Sequence, residues 1–256
     1  MTITERHEKI LAKLNEKGKV EVPDLSESLN VSEVTIPKDL RILEDKGLLF
    51  RTHGGATKTN PYTSDKPVQE KEFVNITEKN SIAKEAVKLI GDNDSIILGS
   101  GTSILAMARC LDPEHPLNVI TSAINVSMEL AQHENIEILQ LGGHLRHSST
   151  SVVGSYAESF LDNITCGMYF LGVDGIDLDF GITTTNLGEA SLNQKCIEVA
   201  QVTVVLADSS KFGKRGFGRI CNLDQIQHII TDGGVSTEIV QELENRGIKV
   251  SIVDVD

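Results

Sequence analysis

The chain has 256 residues, of which 39% are hydrophobic and 24% are charged, as in an ordinary globular protein. It has no apolar run near the length of a membrane span and no N-terminal signal-peptide pattern, so we expect a cytoplasmic protein with no membrane partner. The net charge of −13 argues, for the chain as a whole, against nucleic acid as a partner. The four cysteines are far apart and form no CxxC pair, which predicts reduced, buried thiols.

The charge is divided unevenly along the chain. Residues 1–60 carry ten Lys/Arg and ten Asp/Glu, whereas residues 61–256 carry 14 and 27. DNA phosphates would therefore repel the C-terminal part and leave only the N-terminal part free to dock. Because the N-terminal part is neutral rather than basic, one copy should bind DNA weakly, and we expect a homodimer or homotetramer to supply useful affinity.

Residues 1–58 predict a winged helix-turn-helix. Apolar residues recur at helical spacing, a tight turn precedes a third helix, and β-forming residues with a glycine pair follow it. In this motif the last helix enters the major groove of DNA. A helical hairpin that merely packs on a second domain would leave the wing unexplained. The predicted elements are a helix over residues 4–17, a β-like link over residues 20–22, a helix from Pro23, a turn at Asn30-Val31, a helix that Ser32 caps and Gly47 ends, and a strand over residues 48–53 that Gly54-Gly55 closes.

Pro37 fits this interpretation least. Inside a helix a proline lacks the N–H that bonds to the preceding turn, and its ring crowds the carbonyl there. A helix that begins near Thr35 would leave Pro37 in the first turn, where the missing N–H costs nothing. We expect either that start or a local kink.

Residues 59–76 have two prolines, many polar residues and no period, which predicts a linker that lets two domains change their relative orientation. Residues 77–256 alternate short β-rich runs with helical segments, which predicts a Rossmann-like α/β domain with a mainly parallel sheet. The predicted strands cover residues 95–98, 119–121, 137–141, 168–173, 201–206, 226–231 and 249–253, and the predicted helices cover residues 79–90, 103–110, 124–131, 153–163, 186–200 and 237–246.

Polar residues recur at the carboxyl ends of the predicted strands, where parallel sheets bind ligands. The first strand leads into a Gly/Ser loop and then a helix, whose N–H groups and hydroxyls would hold a phosphate or sugar hydroxyls. The loop is neither a Walker loop nor GxGxxG, and the histidines show no ligand spacing, so we expect no cofactor and no metal. Each residue alone could be a cap, a turn residue or a solvated charge. The predicted ligand-binding residues are Ser100, Gly101, Thr102, Ser103, Thr121, Asn125, Arg146, Asp174, Asn186, Glu189 and Lys211.

Over almost its full length the chain resembles the DeoR family of bacterial sugar-catabolism repressors. Two motifs in the N-terminal part carry the resemblance, together with five in the C-terminal part. They are Val31-Ser-Glu-Val-Thr-Ile-Pro-Lys-Asp-Leu40, Gly54-Gly-Ala56, Gly99-Ser-Gly-Thr-Ser103, Gly142-Gly143, Gly172-Val-Asp-Gly-Ile176, Thr185-Asn186 through Glu189-Ala190, and Asp208-Ser-Ser-Lys-Phe212.

The resemblance implies a sensor domain similar to ribose-5-phosphate isomerase, a phosphorylated sugar as effector, and dimers or tetramers on operator DNA. Within the family the chain looks most like regulators of amino-sugar or deoxysugar operons. The family usually has an arginine directed at DNA where this chain has Pro37, which puts that contact in doubt.

Three functional hypotheses follow. In the first, the protein is a repressor, not an enzyme, whose Thr35, Lys38 and Arg41 face DNA, with phosphate contacts from Ser32 and from Arg51 on the wing. In the second, it is a sugar-phosphate isomerase with an accessory domain, in which Asp174, Glu189 and Lys211 act as acid/base groups. In the third, Pro37 has abolished DNA binding and the regulator acts by protein contact alone.

Overall fold

The structure is a computed structural model that describes residues 1–46, 48–52, 54–58 and 67–255. The chain forms two compact units, Met1–Ser64 and Asp65–Asp256. None of the described helices is long and apolar enough to cross a membrane. Gly47, His53 and residues 59–66 of the predicted linker lie outside the described residues.

The first unit has the three helices and the wing that the sequence predicts. Thr2 and Glu5 form a capping box at its N-terminus, and Gly18, at φ 72°, ends the first helix. One buried cluster, with Ile10, Leu14 and Leu40 among its members, joins the helices to the wing. The elements are α1 (Ile3–Lys17), β1 (Lys19–Glu21), α2 (Val22–Leu29), α3 (Thr35–Asp45), β2 (Phe50–Thr52) and β3 (Gly55–Thr57).

The wing is a three-stranded antiparallel sheet in the order β1-β3-β2. The β-like link predicted over residues 20–22 therefore becomes a strand of the wing, because Val20 pairs with Ala56. Gly55 packs so closely on the Val20 carbonyl that an added Cβ would overlap it, which explains a glycine there.

Helix α3 begins at Thr35, the later start that accommodates Pro37. Pro37 is its third residue, among the four N-terminal positions whose N–H has no partner within the helix. The predicted capping role of Ser32 is wrong, because a turn precedes the helix: the Thr35 N–H donates to the Ser32 carbonyl at 2.9 Å. The residue at the cap position is Val34, whose side chain makes no cap hydrogen bond.

The second unit is built on a seven-stranded sheet in the order β15-β14-β12-β9-β4-β5-β6, in which every neighbouring pair is parallel. The strands of this sheet are β4 (Ser95–Leu98), β5 (Leu117–Thr121), β6 (Ile136–Gln140), β9 (Cys166–Gly172), β12 (Ala200–Leu206), β14 (His228–Asp232) and β15 (Lys249–Val253). The helices are α4 (Val68–Glu72), α5 (Ile76–Lys88), α6 (Thr102–Cys110), α7 (Ile124–Leu130), α8 (Ser155–Leu161), α9 (Leu187–Val199) and α10 (Thr237–Asn245).

Helices cover both faces of this sheet. Ile82, Ile104 and Val126, from α5, α6 and α7, join one buried cluster, and the inner faces of α8, α9 and α10 join another. Adjacent residues of β9 alternate between the two, with Phe170 in the first and Tyr169 in the second. The predicted Rossmann-like layering is therefore present.

The second unit also contains short antiparallel strands and two 3₁₀ turns, none of them predicted from the sequence. The helix predicted over residues 153–163 begins only at Ser155, because residues 151–153 form a strand. The additional elements are β7 (His144–Arg146), β8 (Ser151–Val153), β10 (Gly175–Asp177), β11 (Gly181–Thr184), β13 (Gly218–Cys221) and the 3₁₀ turns Ser209–Lys211 and Leu223–Gln225.

Residues 67–76, assigned above to the linker, are folded into the second unit. They contain α4 and the start of α5, and the Val68 N–H donates to the Ser148 carbonyl at 2.6 Å. Three of the polar side chains that suggested a linker, those of Lys71, Glu72 and Asn75, pair with groups of the domain instead.

Candidate functional site

The exposed face of α3 carries the residues predicted to meet DNA. Ile36, Leu40 and Leu43 are buried in the core of the first unit, whereas Lys38 and Arg41 are exposed on the other side of the helix. Neither cation forms an ion pair with a side chain that the structure describes. Both are therefore available to phosphates or base edges.

Ser32, Thr35 and Arg51 are partly engaged within the first unit. The hydroxyls of Ser32 and Thr35 lie 2.9 Å apart and bond to each other. On the wing, Arg51 Nε donates to Glu44 Oε2 at 2.6 Å and the Arg51 backbone N–H donates to Glu44 Oε1 at 2.8 Å. A phosphate at Arg51 would therefore share the guanidinium with Glu44 of α3.

A buried ion pair that the sequence analysis missed joins α1 to α3. Asp39 Oδ2 accepts from Arg6 Nε at 2.5 Å and Asp39 Oδ1 from Arg6 Nη2 at 2.8 Å, while His7 Nε2 lies 3.1 Å from Oδ1. Burial opposes ionisation of Asp39, but the hydrogen bonds from Arg6 and His7 outweigh it and lower the pKa of the carboxyl. Arg6 and Asp39 lie on the apolar stripes of their helices, and this placement was the sign in the sequence that both residues are buried.

A cleft opens at the carboxyl end of the main sheet, between β4 and β9. On one side of the cleft the sheet continues from β4 to β5 and β6, and on the other side it continues from β9 to β12, β14 and β15. Successive strands of the chain therefore extend the sheet in opposite directions from this point, which is where parallel sheets bind ligands. Gly172, which ends β9, lies against the Ser100 carbonyl: an added Cβ would come within 2.7 Å of it. The lining includes Val68, Lys71, Ser100–Ser103, Ser148, Ser149, Gly172–Asp174, Thr184, Thr185, Glu189, Asn193 and Lys211.

The loop after β4 supplies hydroxyls and backbone donors to the cleft. Gly101, at φ 105°, turns the chain into α6, which begins at Thr102 without a side-chain cap. The first N–H groups of α6 have no partner within the helix and carry its positive dipole end. Together with the hydroxyls of Ser100, Thr102 and Ser103, they form a surface suited to an anionic group.

Asp174 is the acidic group at the end of β9. Its Oδ1 accepts from Lys71 Nζ at 2.9 Å, and its Oδ2 accepts from the Thr184 hydroxyl at 3.1 Å and the Thr185 N–H at 3.2 Å. Burial works against ionisation, yet the charges of Lys71 and Lys211 outweigh it and lower the pKa of Asp174. Asp174 is therefore an ionised acceptor.

Glu189, on the first turn of α9, is the second carboxylate of the cleft. It forms an ion pair with Arg146 Nη1, and its Oε2 lies 3.1 Å from the Thr184 hydroxyl, whose single proton it shares with Asp174. Arg146 also donates to the hydroxyls of Ser148 and Ser149, at 3.1 and 3.3 Å. Arg146 thus holds the wall of the cleft rather than standing solvated at the surface, the alternative open from sequence.

Lys211, in the 3₁₀ turn after β12, lines the cleft beside Asp174. No carboxylate of the described residues lies within ion-pair distance of its ammonium. Burial of Asp208 opposes ionisation, but the charge of Lys211 and hydrogen bonds from Ser210 and Asn75 lower the pKa of this carboxyl. The Lys211 ammonium is a cation that a ligand phosphate could meet.

Four predicted ligand residues lie outside the lining of the cleft. One is Arg146, which pairs with Glu189. The other three, Thr121, Asn125 and Asn186, each accept a hydrogen bond from a backbone N–H. The hydroxyl of Thr121 accepts from the Ala123 N–H at 3.1 Å, and the amide oxygen of Asn125 accepts from the Val126 N–H at 3.1 Å. Asn186 caps α9 by accepting from the Glu189 N–H at 3.1 Å. These three side chains make hydrogen bonds of the cap and turn kind that the sequence left open as an alternative.

Lys71 and Lys79 were missed by the sequence analysis. Lys71 lies on α4, in the stretch predicted as linker, and reaches Asp174. Lys79 on α5 is buried, and its ammonium donates to the carbonyls of Lys71 and Val74, each at 2.6 Å. Burial, and then the charge of Lys211, lowers the pKa of Lys79 to about 8. Two lysines eight residues apart form no recognised sequence motif, so neither could be identified from the sequence.

Comparison with known proteins gives matches over both units. A family model described as a DeoR-like helix-turn-helix domain matches residues 6–61, and one described as the DeoR C terminal sensor domain matches residues 74–233. A candidate aga operon transcriptional repressor of Escherichia coli O157:H7 is 39% identical over 252 residues, which are 98% of this chain and 94% of that protein. The glycerol-3-phosphate regulon repressor of Haemophilus influenzae is 30% identical over 245 residues, 96% of this chain and 95% of that one. Among solved structures, ribose 5-phosphate isomerase A of Methanocaldococcus jannaschii has 24% identity and a TM-score of 0.39, covering 52% of this chain and 53% of that chain.

Proposed function

Because this chain belongs to the DeoR family of DNA-binding transcriptional regulators, we propose that it represses a sugar-utilisation operon and that a phosphorylated sugar releases it. The observation that supports a phosphorylated sugar as effector is the cleft between β4 and β9. It combines a hydroxyl-rich helix N-terminus, a buried carboxylate (Glu189), a half-buried carboxylate (Asp174) and two lysines. That set matches a molecule with a phosphate at one end and hydroxyls along its length.

Each part of the cleft has a chemical task in this proposal. The N-terminus of α6 and Lys211 receive the phosphate, since backbone N–H groups and an ammonium both stabilise a dianion. Asp174 and Glu189 accept hydrogen bonds from sugar hydroxyls, a role for which ionised carboxylates are suited. Threonine and serine hydroxyls donate to or accept from the same ligand. Arg146 orients Glu189.

The DNA half of the proposal assigns α3 to the major groove. Lys38 and Arg41 meet DNA directly, Ser32 and Thr35 offer hydroxyls beside them, and Arg51 contacts phosphate from the wing. The first turn of α3 accommodates Pro37 without a broken hydrogen bond, so the proline gives no reason to expect a lost DNA-binding function. We further propose that a homodimer or homotetramer binds a symmetric operator in the cytoplasm, since the first unit alone is not basic.

The hypothesis of an isomerase is not retained. The family whose models match both parts of the chain consists of transcriptional regulators, and the relatives that match over its whole length are regulators. The ligand-binding chemistry of the cleft serves a sensor without catalytic turnover. The protein is a regulator, not an enzyme.

A mobility-shift titration tests the proposal. Purified protein is mixed with DNA from upstream of its own gene and of the sugar-utilisation genes of its genome, and a panel of hexose, amino-hexose and deoxypentose phosphates is added. We expect a shifted band that one sugar phosphate abolishes and that its unphosphorylated counterpart leaves intact. A protein that binds no such DNA, or that every sugar phosphate leaves bound, would contradict the proposal.

A further inference from the structure

The segment that enters the second unit, residues 67–75, is held mainly by polar contacts, and we refer to it as the α4 segment. Its helix has five residues, too few to be stable alone, so its position depends on what it touches. Glu72 pairs with Arg109 of α6 at 2.8 Å, and the Asn75 amide donates to Asp208 at 2.9 Å. Lys71 and Val68 of the segment line the cleft.

The contact between Lys71 and Asp174 is the one that a ligand can exchange. Asp174 Oδ2 accepts from the Thr185 N–H and shares the Thr184 hydroxyl with Glu189, so the carboxylate would stay oriented without Lys71. Lys71 binds the other oxygen, Oδ1, and the Lys71 side chain is 29% exposed, so its ammonium can be reached from the cleft. Withdrawal of Lys71 would free Oδ1 to accept from a sugar hydroxyl.

We propose that Lys71 senses the effector, by transferring its ammonium from Asp174 to the phosphate of the bound ligand. The inference rests on the proposed function, because it names a residue of the same cleft. A phosphate dianion attracts the ammonium more strongly than a single carboxylate does, so the exchange favours the occupied cleft. Asp174 in turn gains a ligand hydroxyl in place of the lysine.

The exchange couples ligand binding in the cleft to the position of the α4 segment. A phosphate that contacts both the loop after β4 and Lys71 ties the α4 segment to α6 through the ligand. Residues 59–66 directly precede the segment and lead to the first unit. A ligand that binds one placement of the segment more tightly must shift the population toward it, and reciprocity then makes operator binding depend on the ligand.

Hydrogen–deuterium exchange tests this step in the full-length protein. The probe is the panel sugar phosphate that raises the Tm of the wild type most. We expect it to slow exchange both in the loop after β4, residues 99–105, and in the α4 segment. In Lys71→Gln the loop should still be protected at saturating probe, while the protection of the α4 segment is lost. Lys71→Arg, which keeps the charge, should restore it.

Affinity and operator release give a second readout. Loss of one charge-assisted hydrogen bond should weaken probe binding about tenfold in Lys71→Gln, and release of operator should require more ligand or fail. The matched control is Lys88→Gln, which removes a lysine paired at 2.8 Å with Glu85 on the surface of the same unit and should change nothing. Equal Tm values for the unliganded proteins show that both variants fold.

The two proposals fail in different ways. If the probe protects the loop of the wild type but leaves the α4 segment unchanged, Lys71 is no sensor and the effector site stands. If Lys71→Gln keeps full protection of the segment and full operator release, the inference is likewise overturned. If no sugar phosphate of the panel stabilises the wild type or protects the loop, the proposed effector itself is wrong.

Discussion

The two candidate binding regions differ in how their charges are arranged before any partner arrives. On α3, Lys38 and Arg41 stand exposed, without an ion pair to the side chains that the structure describes. In the cleft, Asp174 and Glu189 are already paired, with Lys71 and Arg146. DNA therefore adds contacts at α3 and displaces counterions, whereas an effector must exchange internal contacts. The affinity for DNA should therefore depend mainly on salt concentration, and the affinity for the effector mainly on the chemistry of the ligand.

The largest effect is expected below the DNA surface, at the pair that supports it. Asp39→Ala leaves the buried Arg6 without its partner, which costs about 3–5 kcal/mol in such pairs. We expect the first unit to unfold at a lower denaturant concentration while the second unit keeps its own transition, and operator binding to be lost. Circular dichroism with urea, read for each transition, measures this.

The matched control for Asp39 is Glu21→Ala, which breaks an exposed pair with Lys19 in the same unit. Surface pairs of this kind contribute about 0–1 kcal/mol, so the urea transition should barely move. A loss as large as that of Asp39→Ala would mean that burial is not what gives the Arg6–Asp39 pair its importance.

The same pair predicts a dependence of stability on pH. Because the pKa of Asp39 is lowered in the folded protein, its contribution is fully present above the ordinary aspartate pKa of about 4 and is lost as pH falls through the lower folded value. Asp39→Asn removes this titration. We expect the acid-induced loss of stability of the first unit to be shallower in the variant, and an unchanged acid profile would contradict the assignment.

Removal of a charge from the cleft should have the next largest effect. Glu189→Gln is nearly isosteric but leaves Arg146 facing a neutral amide, at a cost of about 1–3 kcal/mol to the second unit. Because Glu189 is assigned to sugar hydroxyls, effector binding should weaken as well, while operator binding without effector stays intact. Calorimetry with the effector and a mobility shift without it separate the two. Glu198→Gln, which faces Lys195 at the surface of the same helix, is the control.

The two regions also differ in what could be predicted from sequence. The helices and wing of the first unit follow from local signals: apolar spacing, turn residues and a glycine pair, all within 58 residues. The start of α3 was predicted only through Pro37. The Arg6–Asp39 pair was missed, because apolar periodicity carries no information about which charged residues meet across 33 positions of sequence.

In the second unit the main strands and the loop after β4 could be predicted, since buried β-rich runs and glycine-rich loops are local. The antiparallel strands β7, β8, β10, β11 and β13 were not, because they are three or four residues long and depend on tertiary pairing. Lys71 was missed for the opposite reason. Its surroundings are polar and proline-rich, as in a linker, and only the fold brings Asp174, 103 residues later, to its ammonium.

Single substitutions on α3 should have smaller effects than those in the cleft. Arg41→Ala removes one exposed charge, and a phosphate contact of this kind should weaken operator binding by about 1 kcal/mol and reduce the slope of log K against log salt by roughly 1. Lys88→Ala, on the second unit, should leave both values unchanged. A salt slope that Arg41→Ala does not alter would place this side chain away from DNA.

The smallest effect, of opposite sign, is expected at Pro37. Its position in the first turn of α3 means that arginine there would not have to restore a broken helix, so any change in operator binding would come from the new charge. Pro37→Arg should therefore tighten operator binding and steepen its salt dependence by about one phosphate contact, with the Tm of the first unit nearly unchanged. Pro37→Ala is the matched control, because it removes the ring without adding charge. If alanine tightens operator binding as much as arginine does, Pro37 weakens DNA binding through its effect on the backbone rather than through a missing contact. If neither variant gains affinity, DNA makes no contact at this position.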